Sequence, residues 1–201
     1  MSIPSFLYKF YGRLLRRQVF SGRTPHHVGL IVDGNRRYAV AKGLAKHSEG
    51  HKLGSDKLED FLSWCLDLNI KIVTLYGFST ENHNRSEEEV SEVMEIILKK
   101  FRTLQKDPVI KEEGVKIKVI GQRSSLSQEM NEEIDKVERM TEDHTEFQLN
   151  IALSYGGRAE IIDAVKEVAS KVKCGDLRVE DIDENLFAKH LYTEGMPDPD
   201  L

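Results

Sequence analysis

"HVGLIVDGNRR", His27 to Arg37, is an apolar run that ends abruptly on an acid, a glycine, an amide and two cations. An unbroken apolar run without alternation is what a strand covered on both faces requires, so residues 27–33 are expected to form a buried strand. The same reading extends along the chain. "IKIVTLYGF" (70–78) and "FQLNIALSYGG" (147–157) are further apolar runs, whereas "GVKIKVIG" (114–121) alternates and is expected nearer a sheet edge. Between them lie stretches of helical period. Leu58, Phe61, Leu62, Cys65 and Leu68 share one face, and Val90, Val93, Met94, Ile97 and Phe101 another, the second opened by Ser86 and Glu89 in capping-box spacing. Residues 127–143 read as a mostly polar helix, 159–172 as a clear one and 179–192 as a further one. Strands alternating with helices predict an α/β fold with a mainly parallel central sheet flanked by helices.

With 201 residues the chain suits one such domain over 23–201, preceded by a separate amphipathic segment at 1–22. Net charge of −5 argues against a general nucleic-acid binder. The two cysteines, Cys65 and Cys174, lie far apart with no CxxC, which fits a reducing cytoplasm and supports neither a disulfide framework nor a cysteine zinc site. No apolar run approaches the ~18 residues of a membrane span. In the N-terminal segment Phe6, Leu7, Phe10, Leu14, Leu15 and Val19 fall near helical spacing, with Lys9, Arg13, Arg16 and Arg17 between them. Such a helix either covers the domain or lies on an anionic membrane surface as a peripheral contact.

In parallel sheets ligands bind at the carboxyl ends of strands. That rule selects three blocks. In "DGNRR", Gly34 allows close backbone approach, a helix N-terminus suits phosphate, and Arg36 and Arg37 can fork onto phosphate oxygens. Asp33 would repel a phosphate unless a divalent metal bridged the two, as Mg²⁺ does with one or two carboxylates. The alternative is an ordinary Asp-Gly-Asn turn with solvated arginines. Neither GxxxxGK[ST] nor GxGxxG occurs. The second block, "FSTENHNRS", holds Ser79, Asn82 and Arg85 between a strand and a capped helix; Ser86 is explained as a cap and the other three are not. The third, "SYGGR", puts Arg158 in a first helical turn, where a cation opposes the helix dipole and calls for an anionic partner. Separately, "HSEGHKLG" places His47, Gly50, His51 and Gly54 at the start of a helix. His51 could donate to phosphate or relay a proton, or the block could be a surface turn, and no third ligand supports zinc.

Taken in order, "HVGLIVDGNRRYA", "EGHKLG", "LYGFSTENHNRS", "KVIGQRSSL", "LNIALSYGGRAEI" and "EGMPDPDL" resemble the cis-prenyltransferases, the undecaprenyl diphosphate synthase family, from about residue 26 to the end. "DGNRRY" and the basic N-terminal helix look more like its archaeal and eukaryotic branch. The resemblance implies repeated condensation of isopentenyl diphosphate onto an allylic prenyl diphosphate, with release of pyrophosphate and formation of cis double bonds. The product would be a long polyprenyl diphosphate, precursor of a lipid carrier for glycan synthesis, made by a Mg²⁺-dependent homodimer. It implies that Asp33 holds Mg²⁺ and is catalytic, and that Gly34, Asn35, Arg36 and Arg37 grip the diphosphate, with Asn35 also assisting proton removal. His51, Ser79, Thr80, Glu81, Asn82 and Arg85 match substrate-binding positions. Tyr38 and His83 stand where bacterial members carry Trp, and an arginine of the family is replaced around Lys46 and His47. Helix 88–104 and strands 70–78 and 147–153 are expected to line a tunnel for the growing chain.

After "PDPDL" the family pattern continues with Arg-x-Ser-Gly-Glu-x-Arg-x-Ser, which binds isopentenyl diphosphate, supplies a second metal carboxylate and builds much of the dimer interface. The chain is therefore expected to be part of a longer protein. Two rivals remain at this stage. A non-catalytic subunit of a heteromeric prenyltransferase need not keep Asp33, Asn35 and Arg37. A phosphatase using Asp33 as nucleophile wants a second acid where Asn35 stands.

Overall fold

The computed structural model describes residues 10–12, 14–15, 18–19, 22–44 and 47–201, with the side chains of residues 47 and 48 excepted. Four strands form one sheet: β1 (His27–Ile31), β2 (Ile72–Ser79), β3 (Val115–Ile120) and β4 (Phe147–Tyr155), in the order β1-β2-β4-β3 and parallel throughout. The helices between them are α1 (Asn35–Ala41), α2 (His47–Asp67), α3 (Glu87–Leu104), α4 (Pro108–Glu112), α5 (Gln128–Met140), α6 (Gly157–Cys174) and α7 (Glu184–Ala188). The expected α/β class with a parallel sheet flanked by helices is the one found.

The alternation of side chains along each strand divides the core in two. Val73 and Leu75 of β2, Leu149 and Leu153 of β4, and Val115, Ile117 and Val119 of β3 join the helical stripes of α2, α3 and α5 in a single apolar cluster. The opposite face is different in kind. Gln148 Nε2 donates to Asn150 Oδ1 (2.8 Å), Asn150 Nδ2 donates to Thr74 Oγ1 (3.0 Å), and Thr74 Oγ1 meets His27 Nε2 (2.8 Å). His27 Nδ1 lies 2.7 Å from the Pro197 carbonyl, which can only accept, so the ring carries its proton on Nδ1 and Nε2 accepts from Thr74. This chain of bonds runs in one direction across β4, β2 and β1, and buried polar groups of this kind are stable only when every member is satisfied. Along the outer edge of β3, Val119 N–H donates to Glu138 Oε1 (2.7 Å) and Ile117 N–H to Thr141 Oγ1 (3.1 Å). Side chains of α5 thus occupy donors that an exposed edge would offer to another strand.

Two expectations need correction. β1 is not covered on both faces: it lies at the sheet edge, and Ile31 is 71% exposed although Val28 is buried. The helix expected over 179–192 is a 3-10 turn, Val179–Asp181, followed by the five-residue α7. Asp181 pairs with Arg178, Ile182 is extended, and Asp183 caps a new start by accepting from Leu186 N–H, so the chain stops and restarts rather than running through. The histidine-glycine block opens a helix as expected: α2 begins at His47. The helical residues Phe10, Tyr11, Leu14, Leu15 and Val19 of the N-terminal segment are all exposed; Phe6, Leu7, Lys9, Arg13, Arg16 and Arg17 lie outside the described residues.

The segment after α7 returns to the sheet and fixes β1. Tyr192 donates its N–H to Glu160 Oε1 (2.8 Å) and its hydroxyl to Asp163 Oδ2 (2.6 Å). Asp200 Oδ2 accepts from the N–H groups of both His26 (2.7 Å) and His27 (2.8 Å), while Asp200 N–H donates to the His27 carbonyl and Gly29 N–H to that of Leu201. The hydroxyl of Tyr192, then the amide of Gln122, hold the Asp163 carboxyl below its ordinary range; the backbone N–H groups of His27 and His26 do the same for Asp200. Groups whose pKa is depressed by folding lend their full stabilisation above the unfolded-state value and lose it as pH falls through the folded one. The segment 190–201 is therefore expected to loosen as pH drops below about 4, the range of a free aspartate. Hydrogen exchange of that segment, corrected for the intrinsic rate, checks this; protection unchanged down to pH ~3 would rule it out.

Candidate active site

All four carboxyl strand ends open on one edge, and the blocks singled out in the sequence meet there. β1 leaves the sheet through Asp33 and Gly34. Gly34 has φ +90°, a conformation open to glycine at little cost, and its carbonyl accepts the first helical bond of α1 from Tyr38 N–H (2.8 Å). Asp33 Oδ1 accepts from Gly34 N–H (2.5 Å) and Oδ2 from Arg37 (3.0 Å), with both side chains largely exposed. The helix α1 has only seven residues, so the guanidiniums and not a long macrodipole supply most of the positive charge here.

Gly50 and Gly54, one turn apart on α2, explain how α1 is seated. A Cβ built on Gly50 would lie 2.4 Å from the Asn35 carbonyl oxygen and 2.9 Å from Ala39 Cβ. One built on Gly54 would lie 2.3 Å from Asn35 Oδ1. The two glycines form a groove in which the backbone of α1 and the amide of Asn35 rest directly on α2. This is a packing role for glycines that the sequence reading placed at a helix start without giving them one.

In the second block Ser79 and Asn82 have a structural role that sequence reading missed. Ser79 Oγ accepts from Asn82 N–H and Asn82 Oδ1 accepts from Ser79 N–H, both at 3.1 Å, which closes a reciprocal cap on the 3-10 turn Thr80–Asn84. His83 Nε2 lies 2.8 Å from Ser154 Oγ and its ring packs edge-on to Phe78, so this side chain is anchored to the sheet. Ser154 itself is buried in a left-handed conformation, φ +47°. The Glu81 carboxyl is held below its ordinary range, first by its own backbone N–H, then by the Ser79 hydroxyl, with the charge of Arg158 adding to the effect. Arg158 thus has the acidic neighbour that its position called for.

Glu89 departs from its expected part. Ser86 Oγ accepts from Glu89 N–H (3.3 Å), but the carboxylate faces Arg85 Nη1 at 3.0 Å, Arg36 Nε at 3.5 Å and His51 Nε2 at 3.9 Å. Its Oε1 is the atom on which Arg36 of α1, Arg85 of the loop after β2 and the imidazole of His51 of α2 converge. Tyr38 is half exposed with Lys42 Nζ 5.7 Å from its ring centre. Lys46 lies outside the described residues; His47 opens α2, and its side chain is likewise outside them.

Beneath this polar edge a cavity of about 550 Å³ runs the length of the sheet. Asn35, His51 and Val32 line it near the carboxyl ends, and Val115 and Phe147 line it near the amino ends. Its walls are the apolar faces of α2 (Leu58, Leu62, Leu66) and α3 (Val93, Ile97, Leu104) and the strands between. From Phe147 to Leu153 it follows β4 for roughly 20 Å at the strand rise. The expected tunnel elements are all present, and α2 is added to them. One ion pair, Lys100 with Glu59 at 2.5 Å, joins α2 to α3 along the wall.

The arrangement resembles a site for an ionic head and an apolar tail. Among the described residues no group of three or more His, Cys, Asp or Glu side chains could enclose a metal. Asp33 is one exposed carboxylate beside cations, which fits a divalent ion shared with a ligand's own phosphates and does not fit a metal held by protein alone.

Comparison with known proteins agrees. The model of the family described as putative undecaprenyl diphosphate synthase matches residues 31–201. The tritrans,polycis-undecaprenyl-diphosphate synthase (geranylgeranyl-diphosphate specific) of Pyrococcus horikoshii is 46% identical over 198 residues, 96% of this chain and 73% of that protein. Its namesake from Methanopyrus kandleri is 45% identical over 97% of this chain and 72% of its own. Lavandulyl diphosphate synthase from Lavandula x intermedia, solved with dimethylallyl diphosphate, superposes with a TM-score of 0.83 at 32% identity, over 88% of this chain and 75% of that one. The chain belongs to the undecaprenyl diphosphate synthase family and is a cis-prenyltransferase.

The glycine groove gives a test that separates position from stability. Gly54→Ala meets the tip of a side chain, so it is expected to turn Asn35 aside and lower kcat about tenfold or more with a modest loss of melting temperature. Gly50→Ala meets backbone and is expected to cost stability first. Equal melting losses, or an unaltered kcat in Gly54→Ala, would contradict the assignment.

Proposed function

We propose that this protein condenses isopentenyl diphosphate repeatedly onto an allylic prenyl diphosphate to build a long polyprenyl diphosphate. The primer we infer is geranylgeranyl diphosphate, after the specificity named for the archaeal relatives. The observation that carries the reading is the junction itself: a cluster of cations and one exposed acid opens onto a long apolar cavity at Asn35 and His51. A diphosphate with a hydrocarbon tail has that same division of polarity.

In each cycle the allylic C–O bond breaks with its electron pair going to the diphosphate, a carbon–carbon bond forms, and isopentenyl diphosphate loses a proton. Charge grows on the leaving diphosphate oxygens, and Arg36, Arg37 and Arg85 lie where preorganised donors lower that barrier. Asp33 would hold Mg²⁺ against the diphosphate, and the ion when bound would neutralise part of the developing charge. Asn35, seated on Gly54, orients its amide at the mouth of the cavity, where it can guide the departing proton. His51 lines the same cavity, and the family resemblance gives Ser79, Thr80, Glu81, Asn82 and His83, with Tyr38, Lys46 and His47, their substrate-binding parts in this reading. Leu62, Ile97 and their neighbours keep water from the growing chain.

Radiolabelled isopentenyl diphosphate, geranylgeranyl diphosphate and Mg²⁺ are expected to give an extractable polyprenyl product. It should vanish with EDTA and fall at least a hundredfold in Asp33→Ala, in line with the loss of one charge-stabilising group. Product insensitive to both changes, or no product with any allylic primer, would sink the reading.

Assembly and location belong to the same proposal. Exposed Ile161, Ile162 and Val165 on α6 support a homodimer, and exposed Phe10, Leu14 and Val19, with arginines between them in sequence, support a cytoplasmic enzyme in peripheral contact with an anionic membrane. Among the described residues no helix is long and apolar enough to cross one. Sedimentation is expected to show a dimer weakened by Val165→Glu, and flotation to show binding to phosphatidylglycerol vesicles that is lost with phosphatidylcholine alone. A monomer, or vesicle binding blind to lipid charge, would contradict the respective half.

A further inference from the structure

Glu89 has a ready structural explanation, as an acid in the first turn of α3 favoured by the helix dipole. Its geometry exceeds that role. In a capping box the side chain would turn back to the cap residue; here it is 14% exposed and faces three donors that belong to three separately folded segments. Arg36 comes from α1, His51 from α2 and Arg85 from the end of the 3-10 turn, and Glu89 meets all three. One carboxylate against two guanidiniums also leaves the group net positive, so Glu89 can orient these cations without cancelling their attraction for an anion.

We propose that Glu89 is a positioning residue for the diphosphate head: it aligns Arg36, Arg85 and His51 so that their remaining donors converge on one anion. The inference rests on the diphosphate reading of the site. Each guanidinium has five donors in a rigid fork; Arg85 gives one to Glu89 at 3.0 Å and Arg36 stands in ion-pair contact at 3.5 Å, so most donors of both stay available for phosphate oxygens. Held in advance, the three groups lose little freedom when the substrate arrives, which is where preorganised sites gain affinity. With Arg85 23% and Glu89 14% exposed, their bond is screened less than a surface ion pair would be, whereas the Arg36 side chain is 49% exposed.

The test pairs Glu89→Gln, which keeps the shape and removes the charge, with Ser86→Ala, which removes the cap and keeps the carboxylate. Titration calorimetry with inorganic pyrophosphate in Mg²⁺ buffer reads the site without turnover. Glu89→Gln is expected to weaken pyrophosphate about tenfold and raise KM for the allylic diphosphate by a similar factor, with kcat changed less, as loss of a charge-assisted bond predicts. Glu89→Asp should recover part of the loss. Ser86→Ala should lower the melting temperature and leave KM alone. If Glu89→Gln binds pyrophosphate as tightly as the parent protein, the positioning role is wrong. Tighter binding would also overturn it, since that is the behaviour of a carboxylate that competes with the ligand. If the parent protein itself does not bind pyrophosphate, the diphosphate reading fails and takes this role with it; binding by the parent with an unchanged variant defeats Glu89 alone.

Discussion

Every pair of neighbouring strands in this sheet is parallel. A parallel strand cannot return through a tight hairpin, so each connection must cross over the sheet, and all the carboxyl ends open on one edge. The consequences reach every part of the molecule. Asp33, Ser79 and Tyr155 come from strands far apart in sequence yet end on the same rim. The crossover helices α2 and α3 lie side by side on one face, and the space they leave above the sheet is the cavity. The other face carries the polar chain from Gln148 to His27, which closes on Pro197 and so ties the end of the described chain to the strand that presents Asp33.

Charge and packing are divided along that rim. The donors that could receive an anion are separated from the apolar volume by a thin boundary formed by Asn35 and His51, which belong to both. Asn35 is placed there by the absence of side chains on Gly50 and Gly54, not by any attraction of its own. His51 and Arg36 are placed by Glu89. The groups proposed to meet the head of a substrate thus have their positions decided one layer behind them, in the α1–α2 contact and the first turn of α3. Small changes behind the site are expected to act on it more strongly than their distance suggests, because positioning to within an ångström governs such chemistry.

Much of this was legible in the sequence, and for identifiable reasons. Apolar runs and helical stripes report burial directly, so Val93, Met94 and Ile97 could be assigned to one face before the fold was known. The edge position of β3 followed from the alternation in "VKIKVI". Where the reading erred, a tertiary neighbour had overridden a local pattern. β1 looks covered because its residues are apolar, yet among the described residues its outer side is hydrogen-bonded only by Asp200, through backbone and carboxylate, and the Leu201 carbonyl. Glu89 looks like half of a capping box, and a cluster of cations drew its carboxylate elsewhere. Ser79 and Asn82 looked like free loop donors because a reciprocal cap on a 3-10 turn leaves no period to read.

By itself, then, the sequence determined the four strands, the long helices, their parallel arrangement and the rim where ligands belong, because these rest on periodicity and alternation along one chain, while the family came from the resemblance of six blocks in order. Only the tertiary structure decided which cations converge on Glu89, why glycines must stand at 50 and 54, and that the apolar faces of α2, α3 and the sheet stand apart to leave about 550 Å³ between them. An apolar face reads the same in a sequence whether it touches its neighbour or stands back from it. The distance between packed elements is set by side chains that meet from separate segments, and that is a property of the fold.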